Sequence, residues 1–481
     1  MATTTESRPK ERTESAINLR SFLTVTAILL ALIVVCGSLS HFIPQGSFLR
    51  DADGNIIPDS YQQGEVKGIA LWRVLTAPIR VFASADATTI IVISLFLLVM
   101  SGVFNLLNQT GGIKVLIVHI MRRLRDRGGP VVCVTILLFM LFGSLFGMFE
   151  ELVTLLPLII MFMVSMNMDT MTGLGACLLA ACFGFSAAIT NPFSVGTASQ
   201  LAGIDVSDGV WLRLVFFAIV YVALCVFMLR HLHKIEQDPT VSPTYASDLK
   251  MRANLAGQME DMPADQQRIF RVYSVFFIIQ CVLLLAIACI RAISGYAIPI
   301  LAVGFLVGGL TAGQLVCRRF RQVLSYFLKG AVSMLPAVAM IAMASSVKLI
   351  IDESHILDTL MHGALQLLIG RDKFITILLI YALILFLQLF IGSASAKIFL
   401  IMPIVLPITN ALGISPMLVI LTYCMADGFT DVILPTNPVL LISLSMANVS
   451  YGKWLKWTWK LQVIVLTVTV LLLMFAVYIG Y

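Results

Sequence analysis

Charge is scarce in this chain. Only 12% of its 481 residues are Asp, Glu, Lys or Arg, whereas 59% are hydrophobic. Soluble domains carry about 25% charged residues, so a water-covered globular surface is excluded and a polytopic helical membrane protein is expected. Barrel strands are alternating segments of about ten residues, and the apolar runs here are about 20 long, so an outer-membrane barrel is excluded too. The nine cysteines lie in or at the edges of apolar runs, with no Cys-x-x-Cys spacing and none in the loop 44–66. That supports neither a disulfide framework nor a zinc site. Walker, GxSxG and HExxH motifs are missing, and Ser393 and Lys397 stand four apart instead of in Ser-x-x-Lys spacing. ATP is therefore not expected as the driver within this chain, and an intramembrane enzyme loses its usual residues. The first apolar run is too long for a signal h-region, so no cleaved leader is expected.

Taken in order, residues 1–20 form a polar basic leader, expected to be cytoplasmic, and span 1 covers roughly 21–43. The loop 44–66 holds an Asp53-Gly54 turn, the mark of a small hairpin, and 67–83 reads as an interfacial segment with Trp72. Span 2 is about 85–107, and 110–127 ends in Arg122, Arg123, Arg125 and Arg127 as a surface helix. Residues 130–166 read as a re-entrant hairpin with Glu150 and Glu151 at its tip. Its returning arm of about 15 residues reaches only ~22 Å, short of the ~30 Å hydrocarbon core. Span 3 (171–205) is interrupted at 190–196, and span 4 is 210–232. A polar linker and a connecting span fill 233–293, followed by spans 6 (298–317) and 7 (327–352). Residues 356–369 form an amphipathic helix with Ser354 as its N-cap. A second hairpin, 374–411, has its tip at 392–397. Span 8 (415–447) is broken, and span 9 is 457–480.

The charges fix an orientation. With the N-terminus inside, inner segments hold 22 of the Lys and Arg residues and outer segments seven, the positive-inside pattern. The C-terminus then lies outside, and the net charge of +6 reflects topology, not nucleic acid. All five tryptophans fall at predicted span ends as an aromatic belt, and Arg213 and Lys348 are expected to snorkel.

Two stretches resemble each other. Pro157 and the Thr190-Asn191-Pro192 triplet are matched, 246 residues later, by Pro403 and Thr436-Asn437-Pro438. Five spans separate each feature from its twin, an odd number, so the copies face opposite ways. The architecture read from this is all-α, with about nine transmembrane helices and two re-entrant hairpins in an inverted repeat, 21–232 and 294–481. Paired broken segments with polar tips point to a transporter's binding site.

The polar groups at bilayer depth are the site candidates. Asn191 and Asn437 are placed to bridge a hairpin tip to its broken span, with Thr190, Ser194 and Thr436 beside them. Glu150 and Glu151 are adjacent and cannot both face one ligand. Repeat alignment sets Glu151 opposite Lys397, which leaves two readings open: a static Glu–Lys strut, or Lys397 meeting a substrate carboxylate together with Ser393 and Ser395 while a glutamate takes a cation, a proton or a substrate amine. Thr190 joins Glu150 and Glu151 as an ion-coupling candidate. Asp427 and Asp431, four apart and read as sharing a helix face, are either a coupling-ion site or a buried hydrogen-bonding pair. The histidines receive no role, and no metal is expected beyond Na⁺.

The residues 147–151, 191–203, 392–403 and 427–438, taken in order, resemble the YfcC-like branch of the anaerobic four-carbon-dicarboxylate carrier family. The Gly-Ser-Ala-Ser-Ala-Lys tip is also similar to the p-aminobenzoyl-glutamate transporter family, both within the ion transporter superfamily. The resemblance implies a homodimer and elevator-type transport, cation-coupled or by exchange, of dicarboxylates or of arginine and ornithine. The second Asn-Pro departs from relatives that carry Thr-Ser there. The expected function is secondary active transport of small carboxylate-bearing metabolites in a bacterial inner membrane, with Na⁺ or H⁺ as coupling ion, lipid as neighbour and no other cofactor. A basic amino acid antiporter and an ion channel are the alternatives.

Overall fold

Apolar segments this long satisfy their backbone groups internally, and they do so as helices. The computed structural model describes residues 19–49, 57, 60–85, 87–113, 115–116, 119, 128–260, 265–289, 296–368 and 370–481. Helix α1 (Leu19–Leu39) leads to a two-stranded antiparallel ribbon, β1 (Gly46–Ser47) with β2 (Gln62–Gln63), in which Gly46 faces Gln63. The ribbon bears out the expected hairpin, while its Asp53-Gly54 turn lies outside the described residues. Helix α2 (Leu71–Arg80) exposes Leu71, Trp72, Leu75 and Ile79 and buries Val74 and Ala77, the two-faced pattern of an interfacial helix. After α3 (Ala87–Gln109) the basic run 122–127 also lies outside the described residues.

The first hairpin consists of α4 (Gly128–Phe146), a tip at 147–150, a tight turn Glu151–Leu155 and α5 (Leu156–Ser165). Next come α6 (Thr170–Ser186), a break at 187–191, α7 (192–202) and α8 (Val210–Gln237). Then follow α9 (Tyr245–Glu260), α10 (Gln266–Cys289), α11 (Ala297–Cys317), α12 (Phe320–Ser333), α13 (Leu335–Ser354) and α14 (Leu357–Gln366). The second hairpin is α15 (Lys373–Leu387) and α16 (Ala394–Ala411). It is followed by α17 (Pro416–Ala426), a break at 427–437, α18 (Pro438–Met446) and α19 (Tyr451–Tyr478).

Six helices among the described residues are long and apolar enough to cross a membrane unaided, α4 among them. The arms of the first hairpin are therefore unequal: α4 has 19 residues and α5 only ten, about 28 Å against 15 Å.

Shifted by 246 residues, α3 to α8 fall on α13, α15, α16, α17, α18 and α19 in order. Three twin pairs touch each other: α3 with α13, α6 with α17, and α8 with α19. The twins Phe183 and Phe429 meet edge to face at 5.1 Å, and Cys182 Sγ donates to the carbonyl of its own twin, Gly428, at 2.9 Å. Equivalent positions of the two halves are thus in mutual contact. The halves also interlock, with α5 against α18 and α7 against α16.

Several expectations need correction. The first break is 187–191, because Pro192 occupies the first turn of α7, where its missing N–H is no loss. The second tip is 388–393, and Lys397 stands in the first turn of α16. Ser354 closes α13, donating to Ile351 O at 2.8 Å, and so does not cap α14. The linker after α8 is largely helical through α9. Trp454 is fully buried and donates to Val432 O at 2.6 Å, so it is no belt residue. Arg213, 3% exposed, does not snorkel.

Candidate functional site

The first break is held by one serine of the hairpin in front of it. Ser144 O accepts from the amides of Ile189, Thr190 and Asn191 at 3.1, 3.2 and 3.1 Å. Its hydroxyl donates to Ala187 O at 2.6 Å and accepts from Ile189 N at 3.0 Å. Asn191, fully buried, caps α7 by accepting from Phe193 N at 2.9 Å. It also touches the hairpin tip: a side chain at Gly147, whose φ is +70°, would stand 2.3 Å from Asn191 Oδ1. Only glycine tolerates both that contact and that backbone. The Asn191 amide itself donates to Phe185 O at 3.5 Å, so its hydrogen bonds stay within its own broken helix and the tip is approached by packing alone. Thr190 is exposed and donates to Leu145 O at 3.1 Å. Ser194 is buried, and its hydroxyl has no partner.

The second break carries the charges. Lys397, with no exposed surface, places Nζ 2.6 Å from Asp427 Oδ1. The carboxylate on this ammonium thus comes from the second half itself, where repeat alignment pointed to a glutamate of the first hairpin. Tyr423 donates to Ala394 O at 2.7 Å and lies 3.3 Å from Asp427 Oδ2. Asp431 accepts from Gln388 Nε2 and lies within reach of the Asn437 amide. Asn437 caps α18 through Val439 N at 2.8 Å, so its contacts stay within its own break. The aspartates do not share a helix face: Asp427 ends α17 in an extended conformation and Gly428 follows at φ +105°. Two breaks meet here, because Ser186 donates to Asp427 O.

Gln388 Oε1 and Thr430 Oγ1, both buried, lack partners. The site therefore has one lysine touching one aspartate, a second aspartate held by amides, and spare oxygens beside it. Gln388 and Tyr423 were missed from sequence, although each is a lone polar group in an apolar run.

The other candidates scatter. Ser393 is exposed and caps α16 at 3.4 Å from Ala396 N, and Thr436 is half-buried. Glu151 opens the tight turn after the first tip and Ser395 lies in the first turn of α16, with side chains outside the described set. Glu150 lines an apolar cleft of ≈ 390 Å³ with Ile93, Phe96, Ile298 and Val439. It sits between α3, α11 and α18, not on Lys397.

A buried polar cluster stands outside the spans, at the start of α6. Asp169 caps α6 through Thr172 N at 2.8 Å and accepts from Ser242 at 2.6 Å. His231 Nε2 lies 2.9 Å from it, and Trp457 Nε1 is 3.1 Å from His231 Nδ1. An indole N–H only donates, so Nδ1 accepts and Nε2 carries the proton toward Asp169. Burial alone would raise the Asp169 carboxyl, but bonds from His231, Ser242 and Thr172 outweigh it and hold it below the ordinary range.

The profile of the C4-dicarboxylate anaerobic carrier family matches residues 22–478. The chain belongs to that family. Among similar proteins, YfcC of Escherichia coli (strain K12), provisionally named a basic amino acid antiporter, is 26% identical over 379 residues, 76% of this chain and 74% of its own. An uncharacterized protein of Haemophilus influenzae is 23% identical over 418 residues, 83% of this chain and 77% of its own. Two solved structures align along nearly the whole length. The YdaH transporter of Alcanivorax borkumensis gives a TM-score of 0.44 at 19% identity, covering 96% of this chain and 98% of that one. MtrF of Neisseria gonorrhoeae gives 0.42 at 14%, covering 94% of each. With its membrane-crossing helices, the carrier family membership makes this a multi-pass membrane transporter.

Proposed function

We propose that the protein is a secondary active transporter of small carboxylate-bearing metabolites, with its coupling charge at Asp431. One observation carries this reading: buried Lys397 touches Asp427, while Asp431 has the same ammonium only at a distance and its direct hydrogen bond from the Gln388 amide. Two buried carboxylates that share one ammonium leave a negative charge in excess, which is costly, so Asp431 is the place where a proton, Na⁺ or a cationic group is taken up and released. Gln388 Oε1 and Thr430 Oγ1 are hard oxygen donors suited to a small cation.

In this reading the halves form an inverted repeat, and the arms around each tip are re-entrant. The two hairpins with α6, α7, α17 and α18 move as one unit against α1–α3 and α10–α13 in a homodimeric elevator. The protein sits in the bacterial inner membrane with its N-terminus inside and C-terminus outside. Asn191, Ser194, Thr436 and Asn437 line the substrate path with Ser393 and Ser395, while Lys397 balances Asp427. Glu150, Glu151 and Thr190 remain candidates for coupling at the first tip.

Exchange of basic amino acids is the second reading. Asp431, which no cation among the described residues touches directly, suits a cationic side chain, and YfcC carries that name. The test is counterflow in proteoliposomes with labelled succinate and labelled L-arginine, across imposed Na⁺ and pH gradients. Saturable counterflow that loses its ion dependence in Asp431→Asn is the expected result. Conductive, non-saturating flux would replace the carrier with a channel.

A further inference from the structure

The face of α8 turned toward the second break carries another cation. Phe216 on that face meets Phe429 at 5.8 Å, and Arg213 lies one turn before it, 3% exposed. Its Nη2 donates to the carbonyls of Val206 and Asp208, the latter at 3.0 Å. Its Nε and Nη1 are buried without an acceptor, and among the described residues no carboxylate pairs with it. The Ser194 hydroxyl, 1% exposed, is likewise without a partner. The Cys424 thiol neighbours Ser194 and lies within electrostatic range of Arg213, and the Tyr481 phenol neighbours Arg213 as well. Residues 192–196 pack directly on α17, which carries Cys424.

Several idle N–H and O–H donors on a buried guanidinium and a buried hydroxyl describe half of an anion site. Buried charges are held by partners or counter-charges, and in transporters an intramembrane arginine faces the pathway. Resting on the transport reading above, we propose that Arg213 and Ser194 form the subsite that takes the carboxylate of the transported solute. The anion contact then belongs to the first half and α8, and the coupling charge to Asp431 in the second. Lys397, saturated by Asp427, is relieved of the substrate role.

The test uses the purified full chain in proteoliposomes, with labelled succinate and L-ornithine as probes and putrescine as the diamine lacking a carboxylate. Ser194→Ala, a small change at a hydroxyl that bonds nothing, should melt with the wild type and raise KM for both carboxylates. Arg213→Gln should raise it about 10- to 150-fold, the effect of losing a hydrogen bond to a charged group, and Arg213→Lys less. Without solute, Arg213→Gln should melt no lower than wild type. Putrescine should not compete with either probe.

Wild-type KM in Ser194→Ala overturns the subsite, whether or not the arginine variants fold. So does a lowered melting point with unchanged KM in Arg213→Gln, which would make Arg213 a strut for the 206–208 carbonyls. Wild-type protein without saturable counterflow of any carboxylate would defeat the transport reading itself. Variants that match a transporting wild type would defeat the subsite alone.

Discussion

Between Ser186 and Pro192 the chain crosses the interior on hydrogen bonds to one serine, whereas between Ala426 and Pro438 it carries two aspartates. The first break is five residues long and the second eleven. Five residues can hang from Ser144; eleven cannot. Among the carbonyls of the longer break, donors from elsewhere serve those of Asp427 (Ser186), Gly428 (Cys182), Val432 (Trp454) and Ile433 (Tyr451). Twin positions show how far the halves have diverged: Asp427 answers Ala181, Asp431 answers Phe185, Gln388 answers Phe142, and Ser144 answers Phe390. The skeleton is repeated, but only the second break carries aspartates, which is the asymmetry the proposed division of labour rests on.

The comparison breaks outright if the halves do not face opposite ways. Single cysteines at Asn167 and Asp372, both exposed in the loops before α6 and α15, should react with an impermeant maleimide from opposite sides of the membrane, all or none. Labelling of both from one side would end the inverted reading.

The next largest effect belongs to the charged break. Lys397→Gln strands Asp427, and breaking a buried pair costs about 3–5 kcal/mol. The double change Lys397→Gln with Asp427→Asn should recover most of that loss in unfolding midpoint. A single mutant as stable as wild type would show that the pair does not hold the second break.

Smaller effects separate the two caps. Asn191→Ala and Asn437→Ala each remove a helix N-cap, worth about 1 kcal/mol. Uptake in Asn437→Ala should also shift its ion dependence, because its amide reaches Asp431, whereas Asn191→Ala should lower uptake without that shift. Identical ion dependence in both would blur the division between the breaks.

A further effect lies outside both breaks. The Asp169 carboxyl is depressed in the folded state, so its stabilisation is present above the unfolded value of about 4 and is lost as pH falls through the lower folded value. Hydrogen bonds of this kind contribute about 1–3 kcal/mol. Acid melting curves of Asp169→Asn should lose that part of the pH dependence; a curve parallel to wild type would refute it.

Much of the skeleton was legible because helix breaks have local causes. Pro192 and Pro438 cannot continue a preceding helix, each follows a capping asparagine, and both copies lie at one offset. The partner of Lys397 was not legible, since repeat alignment identifies the residue at a twin position and not the residue it touches. Arg213 was misread for a related reason. Near a span end an arginine ordinarily reaches water, and only the packing of α8 against the second break turns this one inward.

By itself, the sequence determined a membrane chain of long helices and two capped breaks, because hydrophobic length, proline and asparagine act within a few residues of themselves. The tertiary structure decided which charges meet. A helix that is apolar on every side carries no stripe to set its rotation. The facing of Lys397, Trp454 and Arg213 was therefore settled only by packing against neighbours up to hundreds of residues away.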